Sequence, residues 1–368
     1  MKKSIRELIP KSVAITQLGS VRDCLLTIPL AVDIKRVWPE TKVTWIIESN
    51  VQPLLDQHAC TDQVICLDSG WLRRPKGIKG LWSQLREHQI ELILDPTGLT
   101  KSGVLALLTG AKTRVGFASP VARELSPWFY SHCITPRIRH RLDTIRELLT
   151  PWHDVQAGMG EYSMPDYKQS SVAIQSFLSE LSCTGSQDWI AIHPGALWPP
   201  GLWPVERFGE IARKVFKDYG LKTVIVWFGE DERLLSEVIR EKSDGAAITA
   251  PKLSLVEMVE LFRKTMLLIC NDSIALHLAS SIGAPCLSLH GPTWADEFGA
   301  YGATSVAIQS PHPHVSRRTL RRGPNTAMQA IEADEVLYYV QRLIRRVQTN
   351  TRGALNAAKM QTPVADAA

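Results

Sequence analysis

The sequence predicts an α/β protein of two Rossmann-like halves, each built on a parallel sheet. Three observations carry this. Apolar runs of strand length alternate with amphipathic stretches of helix length over roughly the first 150 residues. The alternation lapses over residues 151–187, which are rich in Ser, Gly and Asp, and restarts at 189. Several apolar runs end in short polar loops, the pattern of strand ends in open parallel sheets, where ligands bind. A chain of 368 residues is too long for one ordinary domain and comfortable for two.

The elements follow in order. In the first half, residues 12–17, 42–48, 63–67, 91–95 and 113–117 read as strands, with helices over 23–37, 80–88 and 141–149. Residues 170–181 carry a helix pattern inside the lapse. The second half reads as a strand at 189–193, a helix at 205–219, a strand at 222–228 and a helix at 231–242. A strand at 247–249, a helix at 255–264 and a strand at 267–270 follow. The stretch 270–293, CNDSIALHLASSIGAPCLSLHGPT, then reads as strand end, polar loop, helix, strand and polar loop, a parallel βαβ unit. Residues 331–347 repeat apolar side chains at helical spacing and predict a closing helix. The expected division is an amino-terminal domain over 1–165, a linker over 166–188 and a carboxyl-terminal domain over 189–330. A closing helix over 331–348 and a disordered small, polar tail over 349–368 complete it.

Charge narrows the class of partner. The net charge is only +5, but basic residues cluster at Arg73, Arg74, Lys76 and Lys79, at Arg137, Arg139, His140 and Arg141, and at Arg317, Arg318, Arg321 and Arg322. Solvated surface explains any one cluster; three of them suit an anionic substrate or an anionic membrane surface. No recognition helix or aromatic RNA-binding motif accompanies them, so nucleic acid is not the expected partner. Seven cysteines without C-x-x-C spacing predict reduced packing thiols and a cytoplasmic location. The basic amino terminus lacks the apolar core of a signal peptide, and no apolar run reaches spanning length, so any contact with the inner membrane is expected to be peripheral, at its cytoplasmic face.

Candidate site residues lie on the polar loops. Asp23 follows a glycine-containing loop and opens an apolar helix; it can satisfy free amides there, or serve as a general base on a sugar hydroxyl. Gly195, in HPGA, presents backbone amides to a ligand, while Trp203 and Phe208 read as packing residues. Glu232 lies in a first helical turn, where it caps the helix or hydrogen-bonds ribose hydroxyls. Leu253 lines a purine pocket or the core. Asp272 and Ser273 precede a helix amino terminus, a natural seat for phosphate, and His277 one turn later is structural or donates to a phosphate oxygen. Gly291, Pro292 and Thr293 close the block. No Walker A, G-x-G-x-x-G, G-x-S-x-G or metal-ligand spacing is present.

Taken together, these segments resemble the bacterial heptosyltransferases of glycosyltransferase family 9 over about residues 12–347. The late DS-x-x-x-H…GPT block with Tyr301-Gly302 resembles that family's donor signature, as does HPGA…WP-x-ERF. DPTGLTKSG resembles its D-x-Q-G-L-x-K-S segment. GFASPVARELSPWFY, with Arg123-Glu124 and Phe129-Tyr130, resembles the heptosyltransferase I branch, and Ala327-Met328 to Ile331 the closing C-M-x-x-I element. The resemblance implies a GT-B architecture with two Rossmann-like domains and an interdomain cleft. It implies inverting, metal-independent transfer of heptose from ADP-L-glycero-D-manno-heptose to an inner-core lipopolysaccharide acceptor of the Kdo-lipid A type, with no cofactor beyond the nucleotide-sugar donor. Asp23 then falls at the base, Asp272, Ser273 and His277 at the donor phosphates, Glu232 at the ribose and Leu253 at the purine. Lys101, Arg73, Arg74 and Arg123 fall where an anionic acceptor lies.

Three positions depart from the family pattern. Arg22 precedes Asp23 where the family has Gly, Gly201 stands where it has Lys, and Ile274 follows Asp272-Ser273 where it has Gly. Arg and Ile resist close backbone approach and positive φ, and losing the lysine removes a cation from an anionic leaving group. A homologue that binds a nucleotide sugar or lipopolysaccharide precursor without turnover, or a transferase of another donor sugar, is the alternative these departures suggest.

Overall fold

The computed structural model describes residues 5–48, 50–68, 70–73, 75–180, 189–312 and 323–360. The chain divides into two compact units, Met1–Tyr167 with Asp296–Phe298, and Lys168–Ala295 with Gly299–Ala368.

The first unit is built on six parallel strands, β1 (Ser12–Gln17), β2 (Lys42–Ile47), β3 (Gln63–Cys66), β4 (Leu92–Asp95), β5 (Thr113–Phe117) and β6 (His132–Ile134), in the order β3-β2-β1-β4-β5-β6. β1, β2 and β4 are buried along nearly their whole length, so they read as continuous apolar runs rather than alternating ones. The helix Val21–Val37 starts at a capping box in which Ser20 and Asp23 satisfy each other's backbone amides. Deeper in, Arg146 is clamped between Asp33 and Asp143 at 2.7 Å each. Glu147 beside it accepts the amides of Arg137 and Ile138, so the basic segment before the helix Arg141–Arg146 is held by buried acids.

The second unit repeats the plan. β7 (Trp189–His193), β8 (Lys222–Ile225), β9 (Ala247–Thr249), β10 (Leu268–Asn271), β11 (Cys286–His290) and β12 (Val306–Gln309) are parallel in the order β9-β8-β7-β10-β11-β12, the same order as the first sheet. In each sheet the order reverses beside the first strand, between β1 and β4 and between β7 and β10. These are the switch points at which such sheets bind ligands. Trp203 and Phe208, edge to face at 4.8 Å, seat the helix Val205–Tyr219 against the sheet, with the Trp203 indole donating to the Ile331 carbonyl.

The observed elements differ from expectation in four places. β6 and β12 are short and partly exposed and carry no periodic pattern, so the sequence does not announce them. The helix Thr100–Leu108 lies in a stretch read only as a motif. The helix Lys168–Glu180, expected within a linker, belongs to the second unit and packs on the helix Leu255–Lys264. The closing helix runs Ala333–Met360, through the first part of the expected disordered tail. Residues 353–360, GALNAAKM, hold three Ala with Leu, Lys and Met, and no proline comes before Pro363, so helix propensity carries the element on. The thiols of Cys24, Cys270 and Cys286 are buried as expected of packing residues, but Cys66 and Cys133 are exposed, and Cys183 lies outside the described residues. Among the described residues, no helix is long and apolar enough to cross a membrane.

Candidate active site

At the first switch point the polar side chains at the strand ends are hydrogen-bonded to one another and to backbone. Thr97, just past β4, accepts the Leu18 amide and donates to the Thr16 carbonyl, both at 3.0 Å, and so ties the end of β4 to the end of β1. Gln17 accepts from Gly19 and donates to Thr27. Asp95 is fully buried and accepts the Thr97 amide at 2.9 Å and the Tyr130 hydroxyl at 2.6 Å. Burial pushes its carboxyl above the usual range despite the hydrogen bonds from Ser102, Tyr130 and Gly98, and burial beside Asp95 pushes the Tyr130 phenol up as well.

Asp23 stands at the mouth of this arrangement. One carboxylate oxygen, Oδ2, accepts the Ser20 amide at 2.9 Å and the Ser20 hydroxyl at 2.8 Å. The other, Oδ1, lies 3.9 Å from Nε of Arg22, and the side chain is about one-third exposed, at 32%. Gly19 makes this possible: a Cβ there would lie 2.6 Å from Oδ2. Asp23 thus fills its capping role with one oxygen, while the other lies beside Arg22.

The second switch point is built the same way with a different balance. The Asn271 side-chain amide donates to the Pro194 carbonyl at 2.7 Å, and the Leu197 amide donates to the Asp272 carbonyl at 3.4 Å, so the end of β10 is tied to the loop after β7. Glu232 accepts the Phe228 amide at 2.7 Å and Nε2–H of His193 at 3.2 Å. Burial opposes its ionisation, but these hydrogen bonds and one from Gly229 outweigh burial and hold the carboxyl below its usual range. Nδ1 of His193 is buried and has no hydrogen-bond partner. Oδ1 of Asn271 is likewise buried without one. Two buried polar atoms at one strand-end pair lack partners, which is rare in a finished interior.

Asp272 and His277 are both buried, with carboxylate and imidazole 3.5 Å apart at the start of the helix Ile274–Ser281. Ser273 is its N-cap residue but makes no side-chain capping bond. Ile274 is the first helical residue and Arg22 the second residue of its helix, and neither has positive φ. The conformational cost expected of replacing glycine at these places is therefore absent; only the added bulk remains. Gly201 lies with Ala196 on one side and Pro292 on the other, and a Cβ there would sit 3.4 Å from the Ala196 Cβ, an ordinary contact. Gly291 packs under Met328, Thr293 approaches Nδ1 of His290 at 3.5 Å, and Leu253 is half-buried.

Among the residues expected to face an acceptor, the Lys101 ammonium is held by Glu48, whose other oxygen accepts the Trp71 indole. Arg123 is exposed, and its amide donates to the Gly98 carbonyl, beside the first switch point. Arg73 ends a short helical turn, Trp71–Arg73. Arg74 lies outside the described residues, as do Arg317, Arg318, Arg321 and Arg322.

Comparison with known proteins decides the family. The family model described as glycosyltransferase family 9 (heptosyltransferase) matches residues 78–322, more than half of the chain. The chain belongs to glycosyltransferase family 9. It is a glycosyltransferase with a GT-B fold. Lipopolysaccharide heptosyltransferase 1 of Pseudomonas aeruginosa is 26% identical over 82% of this chain and 84% of its own length. Its namesake in Escherichia coli O18:K1:H7 is 24% identical over 83% of this chain and 94% of its own. Among solved structures, a family 9 glycosyl transferase from Veillonella parvula superposes with a TM-score of 0.77 at 21% identity, covering 91% of this chain and 97% of that one. The E. coli heptosyltransferase WaaC with ADP superposes at 0.72 and 20% identity, covering 90% and 99%.

Within this family 9 chain the sequence pattern did not single out His193, Asn271, Thr97 or Gly19. His193 and Asn271 end their strands immediately before polar loops, and that position was the available signal. The use of Thr97 as a bridge and of Gly19 as a clearance is decided by strand neighbours distant in sequence.

Proposed function

We propose that this protein transfers heptose from ADP-L-glycero-D-manno-heptose to an inner-core lipopolysaccharide acceptor of the Kdo-lipid A type, with inversion, without a metal, and with Asp23 as general base. One observation carries the reading: Asp23 is held by one oxygen through two Ser20 donors and keeps the second oxygen for a proton. The acceptor hydroxyl gives its proton to Oδ1, attacks the anomeric carbon, and breaks the bond to the nucleotide diphosphate in the same displacement. Glu232 receives the ribose hydroxyls, Leu253 the purine, and Gly195 a backbone contact. Asp272, Ser273 and His277, with Gly291, Pro292 and Thr293, surround the diphosphate, whose charge suits the helix amino terminus at Ile274. Lys101, Arg73, Arg74 and Arg123 serve the acceptor's anionic groups. The relatives named for heptose transfer to lipopolysaccharide support this choice of donor and acceptor. Transfer of this kind takes place at the cytoplasmic face of the inner membrane.

A second reading, nucleotide-sugar binding without turnover or with another sugar, draws on Gly201, which leaves no cation at a place where the leaving group is anionic. The two separate in one experiment. Purified protein is titrated with ADP-heptose in a calorimeter and then given a Kdo-lipid A acceptor. Turnover is expected, and Asp23→Ala is expected to lower it by about 10²–10⁴-fold while donor affinity stays within about twofold. Donor binding without any turnover favours the second reading, and full turnover in the variant removes Asp23 as base.

A further inference from the structure

We propose that His193 is a positioning residue for the donor: it fixes the Glu232 carboxylate so that one oxygen stays directed at vicinal hydroxyls, and so sets a preference for a ribonucleotide over its 2′-deoxy counterpart. The proposal rests on the reading of Glu232 as the ribose contact. His193 is the last residue of β7, a strand held between β8 and β10, and its side chain is 1% exposed. Its ring packs edge to face on Phe228 at 5.2 Å. Phe228 donates its own amide to Oε2 of Glu232 at 2.7 Å, and Nε2 of His193 lies 3.2 Å from the same oxygen. An ionised carboxylate only accepts, so Nε2 carries the hydrogen of that bond.

The arrangement exceeds what helix capping needs. Glu232 is the third residue of the helix Glu230–Lys242, where an acidic side chain can accept the free amides at its own helix start, as it does from Phe228 and Gly229. Those bonds need nothing from β7. The fold nevertheless brings a histidine 39 residues away in sequence onto the same carboxylate. Burial works against the Glu232 charge, and the hydrogen bond from His193 is the largest of the contacts that outweigh it. Room for the pair comes from Gly195: a Cβ there would overlap the Glu232 carboxylate and lie 2.8 Å from Cε1 of His193. Nδ1 is buried without a hydrogen-bond partner, so the polar contact of this ring is the one to Glu232. With Oε2 taking two donors, Oε1 keeps lone pairs for a ligand, on a side chain 22% exposed at the carboxyl end of the sheet. A carboxylate held this way accepts hydroxyls at one fixed place; one free to rotate offers its oxygens at many.

The test compares ADP with 2′-deoxy-ADP by calorimetry on the full chain. The wild type is expected to prefer ADP by about tenfold, the worth of one hydrogen bond to a charged group. His193→Phe keeps the bulk of the ring. It is expected to bind ADP about fivefold more weakly and 2′-deoxy-ADP as the wild type does, so that the preference falls to about twofold. His193→Gln can set an amide nitrogen at the place of Nε2 and is expected to keep the preference; His193→Asn is too short and is expected to lose it. The Gln and Asn pair decides the point if the Phe variant does not fold. Glu232→Ala is expected to abolish the preference, and adding His193→Phe to it to cost no further ADP affinity. Equal weakening of both nucleotides by His193→Phe overturns the proposal and leaves the ring a packing role, as does a preference that His193→Asn retains. A wild type without the preference, or a Glu232→Ala variant that keeps it, overturns the ribose reading and the proposal together. Loss of the preference in Glu232→Ala with its full retention in His193→Phe overturns the proposal alone.

Discussion

The two switch points are built from the same parts and finished to different degrees. Each lies where the strand order reverses, each is crossed by one polar side chain, and each has a carboxylate with a glycine pressed against it. At the first, Thr97 makes the crossing, Asp95 accepts from the Thr97 amide and the Tyr130 hydroxyl, and Oδ1 of Asp23 lies 3.9 Å from Arg22. At the second, Asn271 makes the crossing with one end and leaves its carbonyl oxygen unpartnered, and His193 does the same with Nδ1. Unpartnered polar atoms in a buried site cost folding free energy that a ligand's polar groups can return. The first point is an internally hydrogen-bonded scaffold; the second keeps buried polar atoms without partners.

The contrast predicts unequal responses to mutation. Thr97→Val strands the Leu18 amide and the Thr16 carbonyl, and should cost about 1–3 kcal/mol, read from the urea midpoint, with ADP affinity retained. Asn271→Leu strands the Pro194 carbonyl but also removes an acceptor that was already unmet, so its stability cost should be the smaller and its loss of ADP affinity the larger. The reverse order would break the comparison. Gly201→Lys has room at Cβ and should tighten ADP binding by about fivefold, the worth of a partly exposed charge pair. Equal affinity would mean that position 201 does not face the diphosphate.

The smallest effects are in pH dependence, and they run in opposite directions. Asp95 has a raised folded-state pKa, so its contribution is present below its ordinary carboxylate value and is lost as pH rises through the raised one. Glu232 has a depressed pKa, so its contribution is present above its ordinary value and is lost as pH falls through the depressed one. Urea midpoints measured across pH should show Asp95→Asn flattening the rising-pH side and Glu232→Gln the acid side. A variant that leaves its slope unchanged would show that its carboxylate does not titrate with folding.

Much of the fold was legible because buried parallel strands are continuous apolar runs; the bounds of β1, β5, β7 and β9 match the sequence pattern residue for residue. β6 and β12 were not, since short edge strands take their shape from a neighbour rather than from their own periodicity. Asp23, Glu232 and Asp272 could be placed on strand-end loops from the sequence because polar chemistry and loop location coincide there. The site was opaque where a role depends on which strands become neighbours, as for Thr97 and Asn271. The worry raised by Arg22 and Ile274 also changed in kind, because both stand in regular helical backbone where glycine's freedom is not needed.

Gly19 and Gly195 have a consequence for genetics. A side chain at 19 would push on the Asp23 carboxylate, and one at 195 on Glu232 and on the His193 ring. Neither residue has a functional group of its own. On the proposed roles of the two carboxylates, a random screen for inactive alleles should recover substitutions at these two glycines, and for position 195 a revertant is most readily found by shortening Glu232 to Asp.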